Sequence, residues 1–304
     1  MVGVFRRSLS FNPSRPSPKQ PISHHTRSIS LPCRSHPLIS QLRDKITDLH
    51  SWSEATTSSR TSAWLCDGLS RLRDLHDCLE DILQLPQTQE SLRRQPHSVE
   101  KLLEDFLRFV DVYGIFQTSI LALKEEQSAA QVAIRKRDES KTALCLKARK
   151  RTAKEMRKLV ATVRCIERLA SPVVSVGDAE LADAIGEVVE ATVTVSVELF
   201  NGIAVSLGPK KSSAWSYIGL IRLKKKAKKV NYVNVISEEG IKEFEEVGTE
   251  CLVGLRKKSD EEIRKASMKM RELETCIGGI ENGGERIFRS LINARVSLLN
   301  SLTQ

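Results

Sequence analysis

The residues best suited to chemistry lie near the N-terminus, in the run Arg27-Ser28-Ile29-Ser30-Leu31-Pro32. The chemistry they suit is phosphate acceptance followed by phosphate-directed binding. A basophilic kinase reads an Arg three positions before a serine through its own carboxylates. A phosphate on Ser30 would add about −1.5 to −2 charges and three strong acceptors. Arg clusters of the 14-3-3 type bind such groups in extended peptides, and Pro32 would then turn the chain out of the groove. Arg27, Ser28, Ser30 and Pro32 are therefore the candidate phosphosite and partner-docking residues. The plainer reading is a chance match in a linker rich in Ser and Arg. Arg7 and Ser10 repeat the kinase spacing without the proline.

The second constellation is basic. Lys210-Lys211 is followed, after twelve residues, by Lys224-Lys225-Lys226-Ala227-Lys228-Lys229. This is the spacing of a bipartite nuclear-import signal, whose lysines lie extended along an acidic groove. The same lysines would hold an anionic membrane surface, at about 1 kcal/mol each. A solvated loop, or one docked on acidic residues nearby, is the third reading.

Both constellations need segments that leave them accessible. Asp44 is the first acidic residue, and seven basic residues from Arg6 to Arg43 precede it. Six of the ten prolines lie between Pro13 and Pro37. Proline lacks an amide donor and biases its predecessor to extended geometry. Few large apolar residues offset the ordering entropy. The expectation is a disordered Ser/Pro/Arg-rich arm over residues 1–36 and one helical domain over 37–304, with a basic loop at about 209–236. An Arg-rich, Ser-rich and acid-free arm also fits an organelle transit peptide, which would direct the chain to the chloroplast, although its apolar residues show no sustained amphipathic pattern. No apolar core follows the basic start, so a secretory signal is excluded, and Val2 excludes N-terminal myristoylation.

The rest of the chain offers little to an enzyme. No G-x-x-x-x-G-K-[ST], G-x-G-x-x-G or G-x-S-x-G occurs. His24-His25 is adjacent and sits in the arm, so no metal-spaced His pair exists. The seven cysteines (Cys33, Cys66, Cys78, Cys145, Cys165, Cys251 and Cys276) form no C-x-x-C. An odd, irregular set points to reduced thiols in an intracellular protein, in cytoplasm, nucleus or both. Cys66, His76 and Cys78, with His50, are too loosely spaced for tetrahedral zinc and read as buried structural residues. No cofactor or metal is expected.

The formal charge of +10 is distributed in blocks. Residues 1–43 carry +7. Residues 44–134 carry −6, from 9 basic and 15 acidic side chains. Residues 135–169 carry +9, residues 170–209 carry −6, and residues 210–229 carry +8. Alternating blocks can satisfy one another within a folded unit; a nucleic-acid footprint would be uniform.

Hydrophobic periodicity predicts long helices. Leu38, Leu42, Ile46, Leu49 and Trp52 share one face, as do Leu65, Leu69, Leu72, Leu75, Leu79 and Ile82. Val99, Phe106, Val110, Tyr113, Phe116 and Ile120 belong to a longer stripe after Pro96, which Gly114 need not break. A basic helix follows, with Met156, Leu159, Val163 and Ile166 on its apolar side; its charged first half would project or meet an acidic neighbour. Thr192–Val197 alternates with period two, a strand signal, but a lone strand has no partner here, so helix is expected. Glu187, Glu190 and Glu198 argue against a membrane span there. A short helical piece is expected around Trp215–Leu223. From Ile241 to Ile277 a three-four seam recurs; Gly278-Gly279 and Gly283-Gly284 read as the turn before a final amphipathic helix through Leu302. Such a seam would pair antiparallel within the chain, or between copies. The fold class is thus an all-α elongated bundle of long antiparallel helices.

HHTRSISLPCRSHP at 24–37, SLGPKKSSAWS at 206–216 and FRSLINARVSLLNSL at 288–302 resemble a plant-specific family of unknown function grouped with BYPASS-type proteins. The similarity runs from about Ser23 to the C-terminus. The resemblance implies a plant source, an all-helical fold, a link to root and shoot development, and no known activity or cofactor. The Val/Thr-rich 192–197 segment and the dense lysine run depart from it. The expectation is a non-enzymatic regulatory or scaffold protein acting through protein contacts, with a basic nuclear protein associated with nucleic acid as the alternative.

Overall fold

The computed structural model describes residues 36–55, 60–169, 179–208 and 240–303. Among these every regular element is helical: α1 (Pro37–Glu54), α2 (Ser62–Leu83), α3 (Pro86–Arg93), α4 (Pro96–Arg135), α5 (Glu139–Leu169), α6 (Ala179–Leu207), α7 (Lys242–Glu246), α8 (Thr249–Leu252) and α9 (Asp260–Thr303), with a 3-10 turn at Leu255–Lys257. The all-α expectation is met.

Local chemistry starts these helices where they start. Pro37, Pro86 and Pro96 open α1, α3 and α4, the first-turn position where a missing N–H costs nothing. Thr61 caps α2 by accepting the Trp64 N–H at 3.2 Å. Asp138 accepts from Ser140 and Lys141 ahead of α5. At α9, the Ser259 hydroxyl accepts the Glu262 N–H while the Glu262 carboxylate accepts the Ser259 N–H at 2.8 Å, a reciprocal capping box.

Polar contacts fix the packing order. α1 runs antiparallel to α2, with Trp52 stacked on Trp64 at one end and the Leu38 carbonyl beside Cys78 at the other. α2 and α9 run parallel in one register, since Ser62 meets Cys276 and Asp77 meets Ser290. α4 and α9 run antiparallel: Gln117 donates to the Glu281 carbonyl and Gln127 to that of Met270. α4 and α5 form a hairpin whose turn holds Arg137 at φ 54°, a conformation costly for a side chain larger than Gly. The Arg137 guanidinium donates to the Leu255 and Lys258 carbonyls and to Asp260, which ties that turn to the approach to α9.

The core centres on aromatic residues of α4. Phe106, Phe109, Tyr113 and Phe116 are all buried, and Phe200 of α6 leans against Tyr113 and Phe116. Thr192–Val197 is helical within α6. Its hydroxyls bond back one turn, Thr192 to Val188 and Ser196 to Thr192, while Val193 and Val195 are buried. Packing on several sides therefore overrides the strand propensity.

Two expectations are corrected. The Gly278-Gly279 and Gly283-Gly284 pairs are not a turn, because α9 runs unbroken through them. The second pair lets neighbours approach closely: a Cβ on Gly283 would stand 2.7 Å from Leu69, and one on Gly284 2.5 Å from the Phe116 ring, whereas one on Gly278 would meet open space. The supposed seam from Ile241 to Ile277 is also not one helix, since short α7, α8 and the 3-10 turn precede α9. Further, Ile292, Leu299 and Leu302 of the last stripe are exposed and leave the inner face to Ile287, Leu291, Ala294 and Leu298.

Candidate functional site

Arg27, Ser28, Ser30 and Pro32 lie outside the described residues, as do Lys210, Lys211, Lys224, Lys225, Lys226, Lys228, Lys229 and the piece expected around Trp215–Leu223. What is described are the residues that flank the basic segment on either side. α6 ends at Leu207, and the chain is described again from Gly240. The two ends meet: the Ser206 hydroxyl accepts the Ile241 N–H at 2.6 Å, and Ile241 packs over Gly202. The Lys242 N–H then donates to the Arg60 carbonyl at 2.9 Å.

Glu243 is the next anchor. Its carboxylate accepts the backbone N–H of Ser62 at 2.9 Å and the Ser62 hydroxyl at 2.8 Å. A carboxylate at the first turn of α2 satisfies an N–H that has no intrahelical acceptor and lies at the positive end of the helix dipole. Phe244 is fully buried, and its carbonyl accepts from Arg149 of α5 at 2.9 Å. Beside these, Arg60 is almost fully buried, pairs with Glu198 of α6 and lies over the Trp64 ring at 4.9 Å. The root of the loop thus joins α2, α5, α6 and α7.

Two further buried polar pairs join helices. His76 Nε2 meets the Thr192 hydroxyl at 3.0 Å, and the Tyr113 hydroxyl meets that of Ser196 at 3.0 Å. Burial pushes the His76 pKa down to about 4, so the ring is neutral near pH 7. Burial raises the Tyr113 phenol above its ordinary value, against the smaller opposing effect of its bond to Ser196.

The cysteines and histidines weighed for zinc do not converge. Cys78 faces the start of α1, His76 faces α6, and Cys66 lies beside Gly279 of α9. Burial raises the Cys66 and Cys78 thiols above their ordinary range, with Cys276 and Glu243 adding to the effect at Cys66. Among the described residues no group of three or more His, Cys, Asp or Glu is placed to hold a metal ion. A shallow groove between α1 and α2 is lined by Lys45, Asp48, Asp67, Ser70, Arg71 and Asp74, where Arg71 and Asp67 already pair at 2.8 Å. Among the described residues α4 and α6 are long and apolar enough to cross a bilayer by length and composition alone; inside the bundle the apolar window of α6 is 67% buried and that of α4 39%.

Sequence reasoning missed the root. Arg60, Ser62, Arg149, Ser206 and Glu243 carry no shared local pattern; the only available signal was the capping residue Thr61 before an apolar run.

These features define a helical bundle in which buried polar pairs join helices and Ser206, at the end of α6, is bonded to Ile241 ahead of α7. The chain belongs to the family described as Protein BPS1, whose model matches residues 68–300. This is the BYPASS-type family of unknown function that the sequence resembles. The matched stretch takes in α3 to α8, most of α2 and of α9, and residues 209–239, and begins beyond Arg27–Pro32. No curated protein and no solved structure matches the chain.

Proposed function

We propose that the protein is a non-enzymatic plant regulatory or scaffold protein that acts through protein–protein contacts. Membership of the family supports a role in development, with root and shoot growth implied by the resemblance. The observation that carries the reading is how the bundle uses its buried polar side chains. His76, Thr192, Tyr113, Ser196, Gln127 and Arg149 each bond to another helix or segment, so they position helices rather than line a cleft.

In this reading Arg27 directs a kinase, Ser30 accepts the phosphate, with Ser28 beside it, and Pro32 shapes the exit from a 14-3-3-type groove. Lys210, Lys211 and Lys224 to Lys229 serve nuclear import or contact an anionic surface. In this reading the protein works in cytoplasm, nucleus or both, without a cofactor. Calorimetry with a peptide of residues 24–37 tests the docking. The phosphorylated form should bind a 14-3-3 dimer at micromolar affinity or better. The unphosphorylated form should bind at least about tenfold more weakly, a difference of roughly 1.4 kcal/mol. Equal binding, or none, overturns it.

The competing reading, a basic nuclear protein on nucleic acid, rests on the +8 carried by residues 210–229. It requires DNA or RNA binding that falls steeply as salt rises. Absence of such binding at low salt removes it.

A further inference from the structure

Four exposed large apolar side chains lie on neighbouring stretches of α4 and α9. Leu107 is 40% exposed, Ile292 37%, Val296 48% and Leu299 37%. On α9, Ile292, Val296 and Leu299 step by four and three, so they form one stripe. The antiparallel register of α4 and α9 sets Leu107 beside it. Phe288 is the neighbour of Gly114, and Gly284 that of Phe116. Two turns back along α4 from Gly114 is Leu107; two turns on along α9 from Phe288 is the level of Val296. Val110 and Phe288, half-buried against the core, floor the strip between them. Scattered apolar residues are ordinary on a surface, but exposed apolar residues at one level of two packed helices are a candidate interaction site.

The banks of this strip differ in charge. On the α4 side run Glu100, Glu104 and Asp111, all exposed and spaced by four and seven. Arg108 pairs with Glu104. On the α9 side stand the neutral Asn293 and Asn300, Arg289 already paired to Glu285, and the half-buried Arg295 between Ile292 and Leu299. The strip thus has an acidic bank on α4 and a weakly basic bank on α9, which sets the side on which a partner's cations can lie.

We propose that this α4–α9 face docks a basic amphipathic helix of a partner protein. The partner's apolar residues, at helical spacing, fill the strip over Val110 and Phe288, and its Lys or Arg residues lie along Glu100, Glu104 and Asp111. The inference deepens the reading of the protein as one that works through protein contacts. It uses none of the residues on which the 14-3-3 test depends, so either can fail alone.

The test uses the full chain and two labelled 18-residue peptides built to be amphipathic helices, one Leu/Lys and one Leu/Glu, followed by fluorescence anisotropy. The Leu/Lys peptide should bind at micromolar affinity, and the Leu/Glu peptide at least tenfold more weakly. Val296→Asp should weaken Leu/Lys binding at least tenfold, and so should Glu100→Lys combined with Asp111→Lys. Both sites are exposed, and unchanged circular dichroism and melting temperature confirm that the variants fold. Equal binding of the two peptides, or wild-type binding by both variants, overturns the proposal. Self-association of the wild type that Val296→Asp abolishes assigns the face to a second copy and overturns it. Flotation with anionic vesicles that Val296→Asp abolishes, without peptide binding, assigns it to a membrane and overturns it.

Discussion

Glu243 lies 181 positions beyond Ser62, yet its carboxylate accepts both the backbone N–H and the hydroxyl of that residue. Helix α2 therefore takes part of its N-terminal cap from the far side of the basic loop. The cap and the loop root are a single piece of structure.

Replacing Glu243 with Ala should cost about 1–2 kcal/mol of stability, the range for a lost N-terminal cap. Glu243→Gln keeps an acceptor but loses the charge facing the helix dipole, and should cost less. Urea denaturation of the three proteins, with circular dichroism as the readout, gives the ranking. An unchanged midpoint for Glu243→Ala would show that the contact carries no stability.

The glycines of α9 should respond to Ala with opposite signs. Gly278 has open space where a Cβ would go, so Gly278→Ala should stabilise by up to about 1 kcal/mol through helix propensity. At Gly284 the same Cβ meets the Phe116 ring at 2.5 Å and Gln117 at 3.0 Å. Gly284→Ala should destabilise by about 1–3 kcal/mol through overpacking. Thermal melts distinguish the two; equal effects would contradict the close approach of α9 to α4.

His76 should make the fold acid-sensitive. Its pKa falls from 6.5 to about 4 on folding because burial disfavours the charged ring. The unfolded chain therefore binds the extra proton first. This contribution is fully present above pH 6.5, is lost as pH falls from there, and levels off below about pH 4. The loss is on the order of 3 kcal/mol in total, at about 1.4 kcal/mol per pH unit. Denaturant titrations from pH 7.5 to 4.5 should show this slope in the wild type and a shallower one in His76→Gln.

If Lys224, Lys225, Lys226, Lys228 and Lys229 form an import signal, changing them to Ala should move a fluorescent fusion from nucleus to cytoplasm. An unaltered distribution counts against the signal. A plastid signal that disappears on deleting residues 1–36 would favour the transit-peptide reading instead.

Much of the fold was legible because helices announce themselves locally. The stripe Leu42, Ile46, Leu49 and Trp52 is the buried face of α1, and Leu65 to Ile82 that of α2. Pro96 stands at the start of the long stripe that is α4, whereas short α3, opened by Pro86, carries no stripe long enough to announce it. The glycine pairs misled because a glycine needed for a turn and one needed for close packing look alike until the facing side chain is known. At Gly283 and Gly284 those facing residues, Leu69 and Phe116, are far away in sequence. The root of the loop was hidden for the same reason: Ser206 to Ile241 and Ser62 to Glu243 are long-range pairs without a local signature. The arm serines and the loop lysines were legible only as motifs.

The bond between Ser206 and Ile241 also bears on how this chain can change over time. Bringing two points of a chain together costs entropy that grows only slowly with the length between them, about 0.6 kcal/mol for each doubling. With Ser206 and Ile241 bonded to each other, residues added between Gly208 and Gly240 would raise the cost of closing this junction only slightly. Variation in the number of residues there should therefore be felt far less by the helices that meet at the junction than the loss of either bonding partner.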